Sequence, residues 1–141
     1  MKIPASVTFL LHRRAMKRII LGMILCQGQV WARHVEHAVR WHERMRGLLG
    51  RAGLGDAAAM VIRRCRAVHT VGMKFAIDLV FIDTTGCIVR IERNVPPGRL
   101  CVWGGWRAAH VIESEAGRLD LDRLNVGDTL ELIGEEKRPA P

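Results

Sequence analysis

The sequence predicts a mainly β fold of the α+β class, a small antiparallel β-barrel or sandwich with one packed α-helix at about residues 37–49. Three observations lead there. From residue 58 onward the chain breaks into short apolar tracts separated by turn signals, a pattern of many short strands. One stretch, "EHAVRWHERMRGLLGRAG", carries the three-and-four spacing of a helix. The 141 residues, 49% of them apolar, suffice for one core without disulfides or a structural metal. Strands with a single early helix then favour a β layer with the helix packed against one face or end.

The elements follow in order. "RIILGMILC", the turn signal "QGQ" and "VWARHV" read as a hairpin, with Val30, Ala32 and His34 alternating against Trp31, Arg33 and Val35. The run Ile19–Cys26 imitates a secretory signal. It is short, Gly22 interrupts it, and no cleavage pattern follows, so a cytoplasmic location is expected. It is also far below the roughly 20 residues of a membrane span, and no transmembrane segment is expected. In the helical stretch Ala38, Trp41, Met45 and Leu48 share a face, with Arg40, Glu43, Arg44 and Arg46 on the others. Gly47 inside it costs about 1 kcal/mol relative to Ala, which calls for a packing reason such as close approach to a strand. Gly50, Gly53 and Gly55 end the helix.

Strands are then expected at 58–62, 67–71, 77–82, 87–92, 100–103, 110–114 and 129–133, with turns at "DTTG" and "NVGD", a loop at "NVPPG" and a helical turn in "RLDLDRL". Within 77–82, Ile77, Leu79 and Phe81 point one way and Asp78, Val80 and Ile82 the other. Residues 18–134 are read as one compact domain. Residues 1–17 form a basic extension in which Met16 is an alternative start, and 135–141 a disordered tail.

The net charge of +8 is distributed unevenly. Basic against acidic residues number 10 to 2 over 1–51, 8 to 4 over 52–112 and 4 to 8 over 113–141. Eighteen of the 22 basic residues are Arg, spread singly, so the charge is compatible with nucleic acid or an anionic surface without specifying either. The four cysteines are widely spaced with no CxxC pair, and buried reduced thiols are expected.

Several constellations invite chemistry. Cys65, His69 and Met73 form C-x3-H-x3-M, soft ligands suited to copper. On a strand they would span about 27 Å, too far for one ion, so they are weak metal candidates and no cofactor is expected. His69 with Asp78 or Glu113 could act as an acid–base pair, or Asp78 could tie the "HTVGM" loop to the strand through His69, Thr70, Lys74 or a backbone N–H. His69, Thr70, Met73, Asp78 and Glu113 are the candidate ligand-binding set. His34, His37 and His42 make no zinc-hydrolase pattern, there is no GxSxG elbow, and "GRAGLG" follows a helix where a phosphate loop follows a strand. Trp103 and Trp106, beside Arg99 and Arg107, either stack single-stranded bases or cover a core edge.

"ERMRGLLGR", "CRAVHTVGMKFAIDLVFID", "VPPGRL", "VIESEAG" and "LNVGD" together resemble, in order and spacing, the bacterial and archaeal family called domain of unknown function 192. The likeness spans about residues 20–134. Its matching positions are Arg46, Gly47, His69, Thr70, Met73, Asp78, Phe81, Asp83, Glu113, Gly117, Gly127 and Asp128. Arg46, Gly47, Gly117, Gly127 and Asp128 are read as its structural motif. Ala76 stands where the family usually has Pro, Val71 replaces a common Phe, and Ser114-Glu115 replaces an apolar pair. The resemblance implies a β-rich domain with one helix and no established reaction. The expected function is therefore a domain that binds a small molecule or a protein partner. The alternatives are an enzyme using His69 with Asp78 or Glu113, and a basic accessory protein binding nucleic acid or an anionic surface.

Overall fold

A computed structural model describes residues 22–38 and 47–134. Among these residues nine strands form: β1 (Gly22–Cys26), β2 (Gln29–Ala38), β3 (Ala59–Arg63), β4 (Ala67–Val68), β5 (Ile77–Ile82), β6 (Ile88–Val95), β7 (Val102–Trp103), β8 (His110–Glu115) and β9 (Leu130–Gly134). Seven make one sheet in the order β6-β5-β8-β3-β2-β1-β9, and β4 pairs with β7 separately. The pairings are antiparallel except for β2 with β3. The sheet is not closed into a barrel. Its two edges meet only at one end, where Cys87 bridges Thr129, Ile88 N–H donates to Asp128 O and Leu130 N–H to Gly86 O.

The expected hairpin forms around Gln27 and Gly28, both at positive φ. Its alternation breaks midway. His34 sits at φ 54° and the β1–β2 register slips between Gly22 and Ile24, so Ala32 and Val35 are both buried while Arg33 and His34 are exposed. A bulge of this type sets two residues against one. Beyond it β2 continues through Ala38 because β3 pairs with Val35–Ala38. His37 and Ala38 therefore belong to a strand, and residues 47–50 form a turn with Gly47 and Gly50 at positive φ. These ends correct the helix expected over 37–49, whose remaining positions 39–46 lie outside the described residues, as do 1–17 and 135–141.

Downstream, strand 77–82 forms as expected and is followed by the turn at 83–86, and the turn at 125–128 leads into β9. The helical turn is the 3-10 segment Leu121–Arg123. Both faces of the sheet are buried, and β5 shows why. Val80 and Ile82 enter one cluster with Ile24, Val35, Val61 and Ile112, roofed by Leu121 and Leu124. Ile77, Leu79 and Phe81 enter the other with Ile62, Met60 and Val111, roofed by Leu48, Leu54, Met73 and Val102. All six residues of β5 are consequently buried. The indole N–H of Trp31 donates to Asp120 O at 2.9 Å and pins the first roof.

The β4–β7 pair rests on the second face through Gly104, where a Cβ would collide with the Phe81 ring and with Ala108. We expect Gly104→Ala to lower stability by about 1–3 kcal/mol, the usual penalty for overpacking. Urea titration measures this, and an unchanged midpoint would refute the contact.

Candidate functional site

Asp78 lies in β5 on the face of Val80, opposite Ser114 of β8. Its Oδ1 accepts the Asn94 N–H at 2.7 Å and its Oδ2 the Gly117 N–H at 3.0 Å. Both donors sit at positive φ, Asn94 in a bulge of β6 and Gly117 in the turn after β8. Asp78 thus joins two irregular points on either side of its strand, and its partners are backbone groups rather than His69 or Thr70. A cleft of about 350 Å³ opens beside it, lined by Arg93, Asn94, Ala116, Gly117, Leu119 and Leu121.

Thr70 is fully buried and serves a different junction. Its hydroxyl donates to Pro96 O at 2.7 Å and accepts the Arg99 N–H at 2.9 Å. Its own N–H donates to Arg99 O, and its carbonyl accepts from Met73 and Gly98. Four of these five hydrogen bonds lock the "HTVGM" turn to the "PPGR" loop, and the fifth, from Met73, closes the turn itself.

Glu113 points to the opposite face from Asp78. It stands in one cross-strand row with Met60 and Leu79, and Met60 in turn faces Glu36. It is 3% exposed. The Leu48 N–H bonds its carboxyl, and Oε2 has no partner among the described residues. Burial pushes this carboxyl up to about 7, against the opposing pull of the Leu48 N–H. Gly47 leaves room for it, since a Cβ there would sit 3.1 Å from Oε2 and 3.2 Å from Ile62 Cδ1. The rest of the strap over this face is held similarly. Arg51 pairs with Glu36 through bonds of 2.8 and 3.2 Å, and Glu115 Oε1 accepts the Leu54 N–H at 2.6 Å.

The structure therefore separates the sequence-derived candidates. His69 is exposed at the end of β4, Asp78 is engaged on one face, and Glu113 is enclosed on the other. They do not share a solvent-accessible cleft. Met73 fills the second core, whereas Cys65 is half-buried with its thiol donating to Ala67 O at 3.1 Å. Among the described residues no three His, Cys, Asp or Glu side chains gather as metal ligands. Cys26 alone of the cysteines is buried, so the expectation of buried thiols is corrected for Cys65, Cys87 and the exposed Cys101. His34 is exposed and His37 buried with its Nε2 unpartnered among the described residues, while His42 lies outside them.

A different surface stands open. Of the large apolar side chains exposed among the described residues, Val71, Leu100, Trp103 and Trp106 come from the loops joined by Thr70 and from the β7 segment. Trp103 and Trp106 meet edge to face with ring centroids 5.1 Å apart. Arg90 Nη1 donates to the Trp103 carbonyl at 2.8 Å, and Arg66 Nε to Ala108 O at 2.9 Å. Segments 61–77 and 96–112, from which these side chains come, contain Arg63, Arg64, Arg66, Lys74, Arg99 and Arg107 and no carboxylate. Among the described residues, Asp83 at 3.7 Å from Arg107 and Glu92 beside Arg90 are the acids that reach it.

The family model for domain of unknown function 192, described as "Uncharacterized ACR", matches residues 23–132. The chain belongs to this uncharacterised family. A "UPF0127 protein" of Thermococcus sibiricus is 28% identical over 118 residues, covering 81% of this chain and 75% of the relative. A crystal structure of a protein of unknown function from Novosphingobium aromaticivorans matches with TM-score 0.66 at 19% identity, over 79% of this chain and 83% of that one, and shows the fold alone. A second, from Sinorhizobium meliloti, described as a "putative transcription regulator", matches with TM-score 0.62 at 26% identity, over 79% and 91%. No reaction is assigned to the domain of unknown function 192.

Several motif positions of this family chain have structural work. Gly117 supplies a donor to Asp78, and Gly127 donates to Ile88 O from φ 99°. Asp128 accepts the Asn125 N–H at 2.9 Å and closes that turn. Asp83 accepts from Thr85 N–H, the Thr85 hydroxyl and Cys87 N–H. Arg46 lies outside the described residues. Glu115, a departure from the family pattern, meets Gly53, where a Cβ would approach Oε1 to 2.6 Å. Its alternation with Glu113 is the signal that could have located the strap; the Glu36–Arg51 pair had none.

Two expectations follow. Asp78→Ala leaves the Asn94 and Gly117 N–H groups without their carboxylate and should cost about 1–3 kcal/mol. Chemical denaturation reads it, and parental stability would contradict the assigned role. For Glu113 the folded state holds its proton to about pH 7 against an ordinary 4.5. Its stabilising contribution is complete below pH 4.5 and is lost as pH rises through 7. Glu113→Gln should match the parent at pH 4 and exceed it by about 3 kcal/mol at pH 8. Equal pH profiles of the two proteins would refute this.

Proposed function

We propose that this chain is a non-enzymatic binding module for an anionic partner, with the Trp103–Trp106 surface as its contact. The observation that carries the reading is the exposed indole pair on segments holding six cations and no carboxylate. Aromatic and Arg side chains dominate binding surfaces because they supply large contact area and directed charge. On this reading exposed His69 borders the contact and Thr70 holds the loops that present it, while Met73 fills the core beneath and Asp78 and Glu113 anchor other loops. The edge contact at Cys87 and Thr129 supports viewing the sheet as a barrel left open. The description of the Sinorhizobium relative as a "putative transcription regulator" agrees with an anionic partner. An acid–base enzyme gains no support, because its candidate groups are dispersed over two faces and the surface.

Heparin chromatography tests the reading. The full chain should be retained at about 0.1 M salt and elute at higher salt, as charge-driven contacts do. Arg99→Glu with Arg107→Glu should elute markedly earlier than Arg33→Glu with Arg123→Glu, a pair of equal net charge placed on β2 and the 3-10 turn. Equal shifts from the two pairs, or no retention of the parent, would overturn it.

A further inference from the structure

Resting on that reading, we propose that the partner is a single-stranded polynucleotide whose bases stack on Trp106 and Trp103 while Arg66, Arg90, Arg99 and Arg107 meet its phosphates. Trp106 is 79% exposed and Trp103 41%. Their edge-to-face contact, at an interplanar angle of 86°, sets the edge of one ring on the face of the other, and Trp106 keeps most of its surface open. A pair serving only as a core cover would bury these faces, as Trp31 does at 7% exposure.

The platform is also held in place. The Gly104 N–H donates to Arg66 O at 2.8 Å and Ala108 N–H to Gly105 O at 3.2 Å, so the bend between the two indoles is fixed at both ends. Gly105 at φ 99° makes this bend possible. The Arg66 guanidinium against Ala108 O and Arg90 against the Trp103 carbonyl put cations on the same backbone that carries the rings. Arg107 follows Trp106 directly.

The arrangement favours a single strand over a duplex. In a duplex the base faces are stacked on one another and inaccessible to an indole, and sequence readout needs a helix or ribbon that enters a groove. β4 and β7 are two residues each and offer neither. Unpaired bases present free π-faces, and stacking on aromatic residues with a basic track along the backbone is the general solution for holding them. Arg adds cation–π contact with the same bases.

The test measures anisotropy of labelled 20-nucleotide oligo(dT) and oligo(rU) with the full chain at about 50 mM salt, alongside intrinsic tryptophan emission. Both oligonucleotides should bind, or one of them if the sugar is read, with quenching of tryptophan emission. Trp106→Ala should weaken binding about 5- to 100-fold, and Trp103→Ala with Trp106→Ala should abolish the quenching. Circular dichroism of these variants should match the parent, since Trp106 is outside the core. Heparin retention without oligonucleotide binding would overturn this proposal and leave the anionic-partner reading standing. Binding to vesicles rich in anionic lipid in place of oligonucleotides would do the same. Duplex binding as tight as single-strand binding, with Trp106→Ala unaffected, would reduce the contact to bulk charge and also overturn it. Loss of both heparin and oligonucleotide binding would remove both proposals together.

Discussion

A sheet buried on both faces must be roofed on both faces, and in this chain the roofs are largely irregular backbone whose N–H groups need acceptors. Polar side chains, most of them buried, supply them. Asp78 takes the donors of Asn94 and Gly117 on one face, while Glu115 and Glu113 take those of Leu54 and Leu48 on the other. Thr70 joins two loops where neither has a strand partner. Without these anchors the 47–57 strap and the 94–99 loop would keep apolar contacts such as Leu48 and Val95 but lose their fixed path.

The anchors are unequal in electrostatic terms. A carboxylate receiving two backbone donors, as at Asp78, is well satisfied and gains little from a third partner. Glu113 has one donor and an unpartnered oxygen in an apolar setting, so its neutral form is the one the fold accommodates. The strap above it is correspondingly sensitive to pH, whereas the hydrogen bonds at Thr70 are made by its hydroxyl and by backbone groups alone. The aromatic surface is mounted on that second junction and on Phe81 beneath Gly104.

Much of the fold was legible because local pattern and tertiary context agree. Strand 77–82 alternates Ile77, Leu79 and Phe81 with Val80 and Ile82, and the two sets enter two cores. The turns at 83–86 and 125–128 carry Asp and Gly where their backbones need them. Context won elsewhere. His34 introduces a bulge that no propensity signals, and β3 pairs His37 and Ala38 into the sheet although their spacing to Trp41 suits a helix. The site was less legible than the fold. Asp78 was recognised as a buried carboxylate needing partners, yet its partners are backbone N–H groups from a bulge and a turn far along the chain, which leave no side-chain signature. Trp103 and Trp106 were visible as an aromatic–basic cluster, but only the position of Gly104 on Phe81 shows which side of the segment faces the core.

The central claim is that buried acceptors hold irregular loops as firmly as strands, so that the aromatic surface is presented ready-formed. Native-state amide hydrogen exchange tests it most directly. The account predicts that Asn94, Gly117, Arg99 and Gly104 exchange about as slowly as the β8 amides, because each is held by a hydrogen bond to an acceptor that is itself fixed. Exchange of these four amides at the rate of open chain, with β8 still protected, would contradict it.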